Sequence, residues 1–273
     1  MNIQTAAKTA TEPVLLREDA GPVAIVTLNR PAARNSLSEA LLLALDQAFQ
    51  AIAADTAIRA VVLTANGTAF CAGHDLKELT GRRGDADGGR GYFKSIMFMC
   101  STMMQRIVAL PQPVIAAVQG PASAAGCQLV ASCDLAVASP TAKFATPGVD
   151  IGLFCSTPMV ALSRNVSRKH AMEMLLTGEM ISAEDAARIG LINRVVGAGR
   201  ERDAAIELAN VIASKSSHVI GIGKAAFYRQ VELPLAEAYR YASEVMTENM
   251  MAQDANEGIC AFIEKRPPTW QDR

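Results

Sequence analysis

The chain has 273 residues, half of them hydrophobic and 19% charged, with 26 basic and 27 acidic side chains for a net charge of −1. That is a globular composition with enough apolar residues for one sizeable core. The charge balance argues against nucleic acid or an anionic membrane surface as a bulk partner.

Residues 1–12, "MNIQTAAKTATE", lack an apolar run and read as a flexible tail rather than a secretory signal. "VAIVTLN" from Val23 predicts a buried strand, and "RPAARNSLS" a turn. Ser38 then opens a helix on which Leu41, Leu45, Phe49 and Ile52 recur at helical spacing. "AVVLTAN" from Ala60, "PVIAAVQG" from Pro113, "DLAVAS" from Asp134 and "INRVV" from Ile192 predict further buried strands. Apolar β-branched runs separated by helices indicate parallel β units with crossovers, an α/β class. From Glu201 the strands stop and the remaining segments read as helices. The expected division is a tail at 1–12, a strand-rich core at 13–200 and a helical region at 201–273. No run of about 18 uninterrupted apolar residues is present, so no membrane span is expected.

The six cysteines form no CxxC pair, and the three histidines (His74, His170, His218) have no metal-ligand spacing, so no metal site is expected. Reduced thiols and the absence of a signal point to a cytoplasmic protein. "GRRGDADGGRG", Gly81 to Gly91, reads either as a solvated loop or as a flap presenting Arg82, Arg83 or Arg90 to an anion. Met97, Met99, Met103 and Met104 in the following helix suit core packing, or a pocket for a flexible chain.

Two stretches carry candidate chemistry. In "AFCAGHDLKEL", Ala69 to Leu79, a strand end gives way to Ala72 and Gly73 and then to a helix-like segment. In "ASAAGCQLVASCD", Ala122 to Asp134, small residues again separate a strand from a helix start. Each turn leaves backbone N–H groups exposed, and two such turns facing each other would form an oxyanion hole. Close backbone packing is the alternative use of such small residues.

These stretches, with "LNRPAARNSLS", "KFATPGVDIGLFCSTP", "LLTGEMISAEDAARIGLINRVV" and "EGICAFIEKRPPTW", resemble the enoyl-CoA hydratase/isomerase (crotonase) family in sequence and in order, from Val23 to Trp270. The resemblance implies a spiral of ββα units followed by trimerising helices, assembled as a homotrimer or as a hexamer of two trimers. It implies an acyl-CoA thioester as ligand, with coenzyme A entering as part of that ligand and no tightly bound cofactor. The thioester oxygen would accept from the N–H groups of His74 and Ala125, with Ala124 and Ala125 requiring a backbone that suits alanine. Ala32, Ala33 and Arg34, together with His74, Asp75, Leu76 and Lys77, fall on loops that would meet coenzyme A. Lys224 and Phe227 are further candidates, across a subunit interface. The His74 imidazole itself is either a solvated or locally bonded side chain, or a catalytic one.

The family's two catalytic glutamates are absent. Gln128 and Gly148 stand at their positions. Gln exchanges no proton at neutral pH and Gly has no side chain, so hydration is expected to be weak or altered. Asp150 is a conceivable substitute acid, Asp134 a structural one, and Cys155 and Ser156 have no evident base. An acyl-CoA enzyme, a non-catalytic acyl-CoA binder and a thioester hydrolase or decarboxylase remain as alternatives.

Overall fold

The computed structural model describes residues 12–273, so the reading of 1–12 as a tail lies almost wholly outside the described residues. The strands are β1 Leu15–Ala20, β2 Val23–Leu28, β3 Ala60–Ala65, β4 Val114–Val118, β5 Ala122–Ser123, β6 Leu135–Ala138, β7 Lys143–Ala145, β8 Ile181–Ser182 and β9 Arg194–Val195. The helices are α1 Glu39–Ala54, α2 Leu76–Gly81, α3 Arg90–Ala109, α4 Ala125–Ser132, α5 Pro158–Asn165, α6 Arg168–Thr177, α7 Ala183–Arg188, α8 Glu201–Ala213, α9 Ser217–Gln230, α10 Leu235–Met251 and α11 Gln253–Glu264.

Six strands form the main sheet in the order β1-β2-β3-β4-β6-β9, parallel except for the edge strand β1. Both faces of its centre are covered, which explains why β2, β3 and β4 are buried at every position and apolar at all but Thr27 and Thr64. Alternate residues serve different layers. Val26, Leu28, Val61 and Leu63 pack with Leu41, Leu45 and Phe49 of α1 and Met103 and Ile107 of α3. Val23, Ile25, Ala60 and Val62 pack instead with Ala205 and Ala209 of α8. So α8, although within the helical region 201–273, closes the outer face of the sheet. Ser38 caps α1 by accepting from the Leu41 N–H at 3.2 Å, the start that its sequence predicts.

A second sheet of β5, β7 and β8 stands beside the first and carries the turn into α4. The last long helical stretch breaks at Ala252, whose extended ψ of 144° separates α10 from α11. α9 and α10 bury no residue fully and expose Phe227, Leu235, Tyr239, Met246 and Met251, a broad apolar surface. Among the described residues no helix is long and apolar enough to cross a membrane.

Candidate functional site

The segment Cys71–Asp75 runs between two others. Cys71 forms a parallel bridge to Ala122, and His74 one to Leu37. The Ser123 N–H donates to the Cys71 carbonyl at 2.9 Å. On the other edge, the Leu37 N–H donates to the Gly73 carbonyl at 2.7 Å and the Asp75 N–H to the Leu37 carbonyl at 3.1 Å. In such a ladder the residue between the two bonded groups turns its own N–H and C=O the opposite way. The His74 N–H therefore faces away from Leu37, toward the turn into α4. A Cβ placed on Gly73 would lie 3.0 Å from the Ala124 Cβ and 3.5 Å from the Ala125 nitrogen. The two small-residue turns thus face each other.

Two other glycines make this approach feasible. A side chain on Gly126 would overlap the Cys71 carbonyl, and one on Gly120 would overlap the Thr68 carbonyl. Ala125 is the first residue of α4, where N–H groups have no helical partner and the helix end is positive. The expectation that Ala124 and Ala125 sit in backbone suited to alanine is corrected at one of them. Ala124 has φ 50° and ψ −116°, a region that normally demands glycine. The contacts of Gly126 and Gly73 on either side, and the 2.9 Å bond from the Ala124 N–H to Ala145, hold it there.

The segment 30–38 braces the first turn. Buried Asn35 accepts from the Arg30 N–H and donates to the carbonyls of Asn66 and Ala69, each at 2.8 Å. It does so at a left-handed φ of 52°, which Asn tolerates. Arg30 pairs with Asp75 at 3.0 Å, and Asp75 also caps α2 through the N–H groups of Lys77 and Glu78. These bonds hold the Asp75 carboxyl below its ordinary pKa against the opposing effect of burial. Asp75 is therefore a structural anchor, although it stands among the residues assigned to coenzyme A. Ala32, Arg34, Leu76 and Lys77 are exposed and Ala33 half-buried along the same rim. Asn35 and Arg30 were not singled out from the sequence, where "RPAARNS" shows only a turn.

Lys224 is not available to coenzyme A. Its side chain is 6% exposed, and its Nζ bonds Asp134 at 2.7 Å and the carbonyls of Ile107 and Gln112 at 3.0 and 3.1 Å. Asp134 also accepts from the Tyr228 hydroxyl and the Val114 N–H, so it is the structural acid that its position suggested. Phe227 is exposed and stacks edge-on against Tyr228.

Around the two turns lie polar side chains without partners. Gln128 is buried, and its Oε1 makes no hydrogen bond within the protein. Thr146, fully buried and likewise unbonded at Oγ1, follows β7 level with Ala124, because Ser123 pairs with Ala145. Both ring nitrogens of His74 are shut off from solvent and unbonded, and burial lowers its pKa below the ordinary 6.5. The imidazole is thus neither solvated nor locally bonded.

Gly148 leaves little room for a side chain. A Cβ there would lie 2.9 Å from the Cys155 sulfur and 3.0 Å from the Leu153 carbonyl. Asp150, two residues on, is exposed, and its carboxylate lies against Gly178 at the end of α6. Burial raises the Cys155 thiol, and pushes Cys71, Cys100 and Cys127 up to about 12, so these sulfurs stay protonated. Ser156 bonds the Phe154 carbonyl at 3.3 Å. In the 81–91 loop, Arg82 and Arg83 cover the rings of Tyr92 and Phe93, and Asp87 binds the N–H groups of Gly89 and Gly91. It is a folded turn, with Arg90 left at its exposed edge. Met103 and Met104 are core residues, and Met97 and Met99 pack on its margin.

Residues 18–273 match the family model for enoyl-CoA hydratase/isomerase. The chain belongs to the enoyl-CoA hydratase/isomerase family. It is 48% identical over 245 residues to the rat "Enoyl-CoA hydratase domain-containing protein 3, mitochondrial", covering 90% of this chain and 80% of that protein. Its backbone matches the crystal structure of a Mycobacterium smegmatis enoyl-CoA hydratase with a TM-score of 0.90 at 52% identity, covering 95% and 99% of the two chains. The human enoyl coenzyme A hydratase domain-containing protein 3 matches with a TM-score of 0.89 at 44% identity, covering 94% of this chain and 100% of that one. The family's fold accounts for the parallel sheet, the second small sheet and the helical end. One expectation fails here: the rat, frog and human relatives are mitochondrial by name, which overturns the cytoplasmic placement drawn from cysteine usage.

Proposed function

We propose that the protein binds acyl-CoA thioesters and holds a developing thioester enolate between the N–H groups of His74 and Ala125. The approach of Gly73 to the Ala125 nitrogen carries this reading, because it sets the segment before His74 against the start of α4. Each donor is worth about 2.7–4 kcal/mol at such a transition state. Arg34 and Lys77, both exposed on the rim, supply cations for the coenzyme A phosphates. The exposed apolar surface of α9–α11 supports a homotrimer, or a hexamer of two trimers, with Phe227 at or near the contact.

Hydration in the family's manner is weak in this reading. Neither Gln128 nor Gly148 carries an acid, and the space beyond Gly148 belongs to Cys155 and Leu153. Calorimetric titration with butyryl-CoA tests binding; no heat at any practical concentration would end this reading. Loss of the conjugated enone of crotonyl-CoA tests hydration, and turnover near the median for enzymes, about 10 per second, would show that the absent acids do not matter. Restoring Gln128→Glu alone is the informative gain-of-function variant. Gly148→Glu drives a side chain into the Cys155 sulfur and a backbone carbonyl.

A further inference from the structure

Helix α11 is attached to the body in an unusual way. A surface helix is ordinarily held by an apolar stripe turned inward. In α11 only Asp254 and Ala261 are fully buried, while Ile259, Phe262 and Ile263 are exposed, Phe262 by 85%. Polar bonds to the last eight residues take the place of that stripe. Lys265 ends the helix at a left-handed φ of 56°, and the Arg266 N–H returns to the Ala261 carbonyl at 3.0 Å. Residues 266–273 then run back along α11 toward its start. Arg266 pairs with Glu257 at 2.6 Å, and the Thr269 N–H donates to Glu257 at 2.8 Å. A Cβ on Gly258 would lie 3.1 Å from the Trp270 ring, so the indole rests on the bare helix there. The Gln271 and Asp272 N–H groups donate to separate oxygens of Asp254 at 2.7 and 2.9 Å, and the Asp254 N–H to the Arg273 carbonyl at 3.0 Å.

The same strap grips the body on its other side. The Trp270 indole N–H donates to the Ser214 carbonyl at the end of α8, at 2.9 Å. Asp272 accepts from the Ser217 N–H at the start of α9, at 2.7 Å, and pairs with Arg59, just before β3. Arg59 in turn donates to the carbonyls of Ala213 and Lys215 at 3.2 and 3.3 Å. So residues 266–273 bridge α11 to the α8–α9 junction. Burial opposes ionisation of Asp254, yet bonds from Ser216, Gln271 and Asp272 hold its pKa below the ordinary carboxylate value. A carboxylate 1% exposed is costly to the fold unless its oxygens are met, and here the strap meets both.

We propose that α11 and residues 266–273 form one latch, which opens and closes as a unit while the sheet stays folded, and which fixes where Ile259, Phe262 and Ile263 are presented to a second copy of the chain. The presenting role rests on the assembly reading above; the latch itself does not. The strap joins two elements that otherwise share little buried surface, so loosening it at either end releases the helix without touching the strands. Segments held in this way open locally, below the free energy of global unfolding.

The test is amide hydrogen exchange of the full chain read by mass spectrometry, with sedimentation velocity at one fixed concentration. In the intact protein the α11 amides are expected to exchange faster than those of β3 and β4. Asp254→Asn turns one acceptor into a donor facing an N–H group. It is expected to speed α11 exchange by about 10–100-fold, the worth of one hydrogen bond to a charged group, and to leave β3 and β4 unchanged. Asp272→Ala acts from the far end, outside α11, and is expected to speed the same α11 amides; it decides the matter alone where Asp254→Asn does not fold. Emission from Trp270, the only tryptophan in the chain, is expected to shift to the red in both variants. Unchanged α11 exchange in Asp272→Ala, or equal acceleration in β3 and β4, would overturn the latch. Both variants are expected to sediment as smaller species than the intact protein. Unchanged sedimentation beside faster α11 exchange would overturn the presenting role. A monomeric intact protein would overturn the assembly reading and the presenting role with it, and the exchange data would still decide the latch.

Discussion

Replacing His74 with leucine removes a polar group from a place where the folded protein does not satisfy it. A neutral imidazole has one donor and one acceptor, and here both nitrogens are buried and unbonded. Leaving one such group unmet costs about 1–3 kcal/mol, so the pair costs at least about 2 kcal/mol. A swap of similar volume loses up to about 1.5 kcal/mol through imperfect packing. The net expectation is a gain of at least about 0.5 kcal/mol at pH 7.5, a rise in Tm of about 1–2 °C or more at this chain length. The gain must also grow in acid. Burial lowers the folded-state pKa of His74 below 6.5, so below that pH the unfolded chain binds the proton more readily than the folded one. Stability of the natural protein therefore falls as pH drops from 6.5 through the folded-state value, and His74→Leu lacks that loss. Thermal unfolding of both proteins at one concentration, between pH 7.5 and 5.5, reads the difference, with concentration fixed because oligomers shift Tm by mass action. A Tm that falls at pH 7.5, or a gap that stays flat with pH, would refute the reasoning.

Lys224→Met breaks a buried ion pair and strands Asp134, and should cost about 3–5 kcal/mol in urea unfolding with little change in butyryl-CoA affinity. A selective loss of affinity would return Lys224 to the ligand site. Ala124→Gly relieves a left-handed φ of 50° and should raise stability by about 1 kcal/mol, after about 0.5–1 kcal/mol of added chain entropy is set against about 1–3 kcal/mol of strain. Thermal unfolding with a lowered Tm would show that the turn is unstrained. Gly126→Ala pushes a methyl group onto the Cys71 carbonyl and must part the two turns. Calorimetry should show affinity for butyryl-CoA reduced on the order of tenfold, and unfolding a loss of about 1–3 kcal/mol.

What was legible in the sequence was whatever depends on local period or on motif. β2 and β3 are apolar at all but one position each because helices cover both faces, and α1 shows its cap and its stripe, so these elements stand where they were expected. The facing turns were legible as small residues after strands. The edge strand β1 was not, because five of its six residues are exposed and present no apolar run. Lys224 was misplaced because its burial comes from Asp134, 90 residues away, and no local pattern records that partner. The strain at Ala124 was invisible for a similar reason: its φ is imposed by the packing of Gly126 and Gly73 on neighbouring backbone. Thr146 reads as an ordinary polar residue until the register of β5 with β7 puts it beside the turn.

The two halves of the site differ in kind. The donor half is over-determined: Gly73, Gly120 and Gly126 admit no side chain, and Asn35, Arg30 and Asp75 hold the first turn from behind. The other half is neutral, with an amide at 128, a hydroxyl at 146, a protonated thiol at 155 and no side chain at 148. On the proposed function, this bears on the electrostatics of an enolate as well as on its proton supply. A carboxylate about 4 Å from a developing oxyanion repels it by roughly 4 kcal/mol at an effective dielectric of 20, so a neutral lining favours the anion that the proposed function requires.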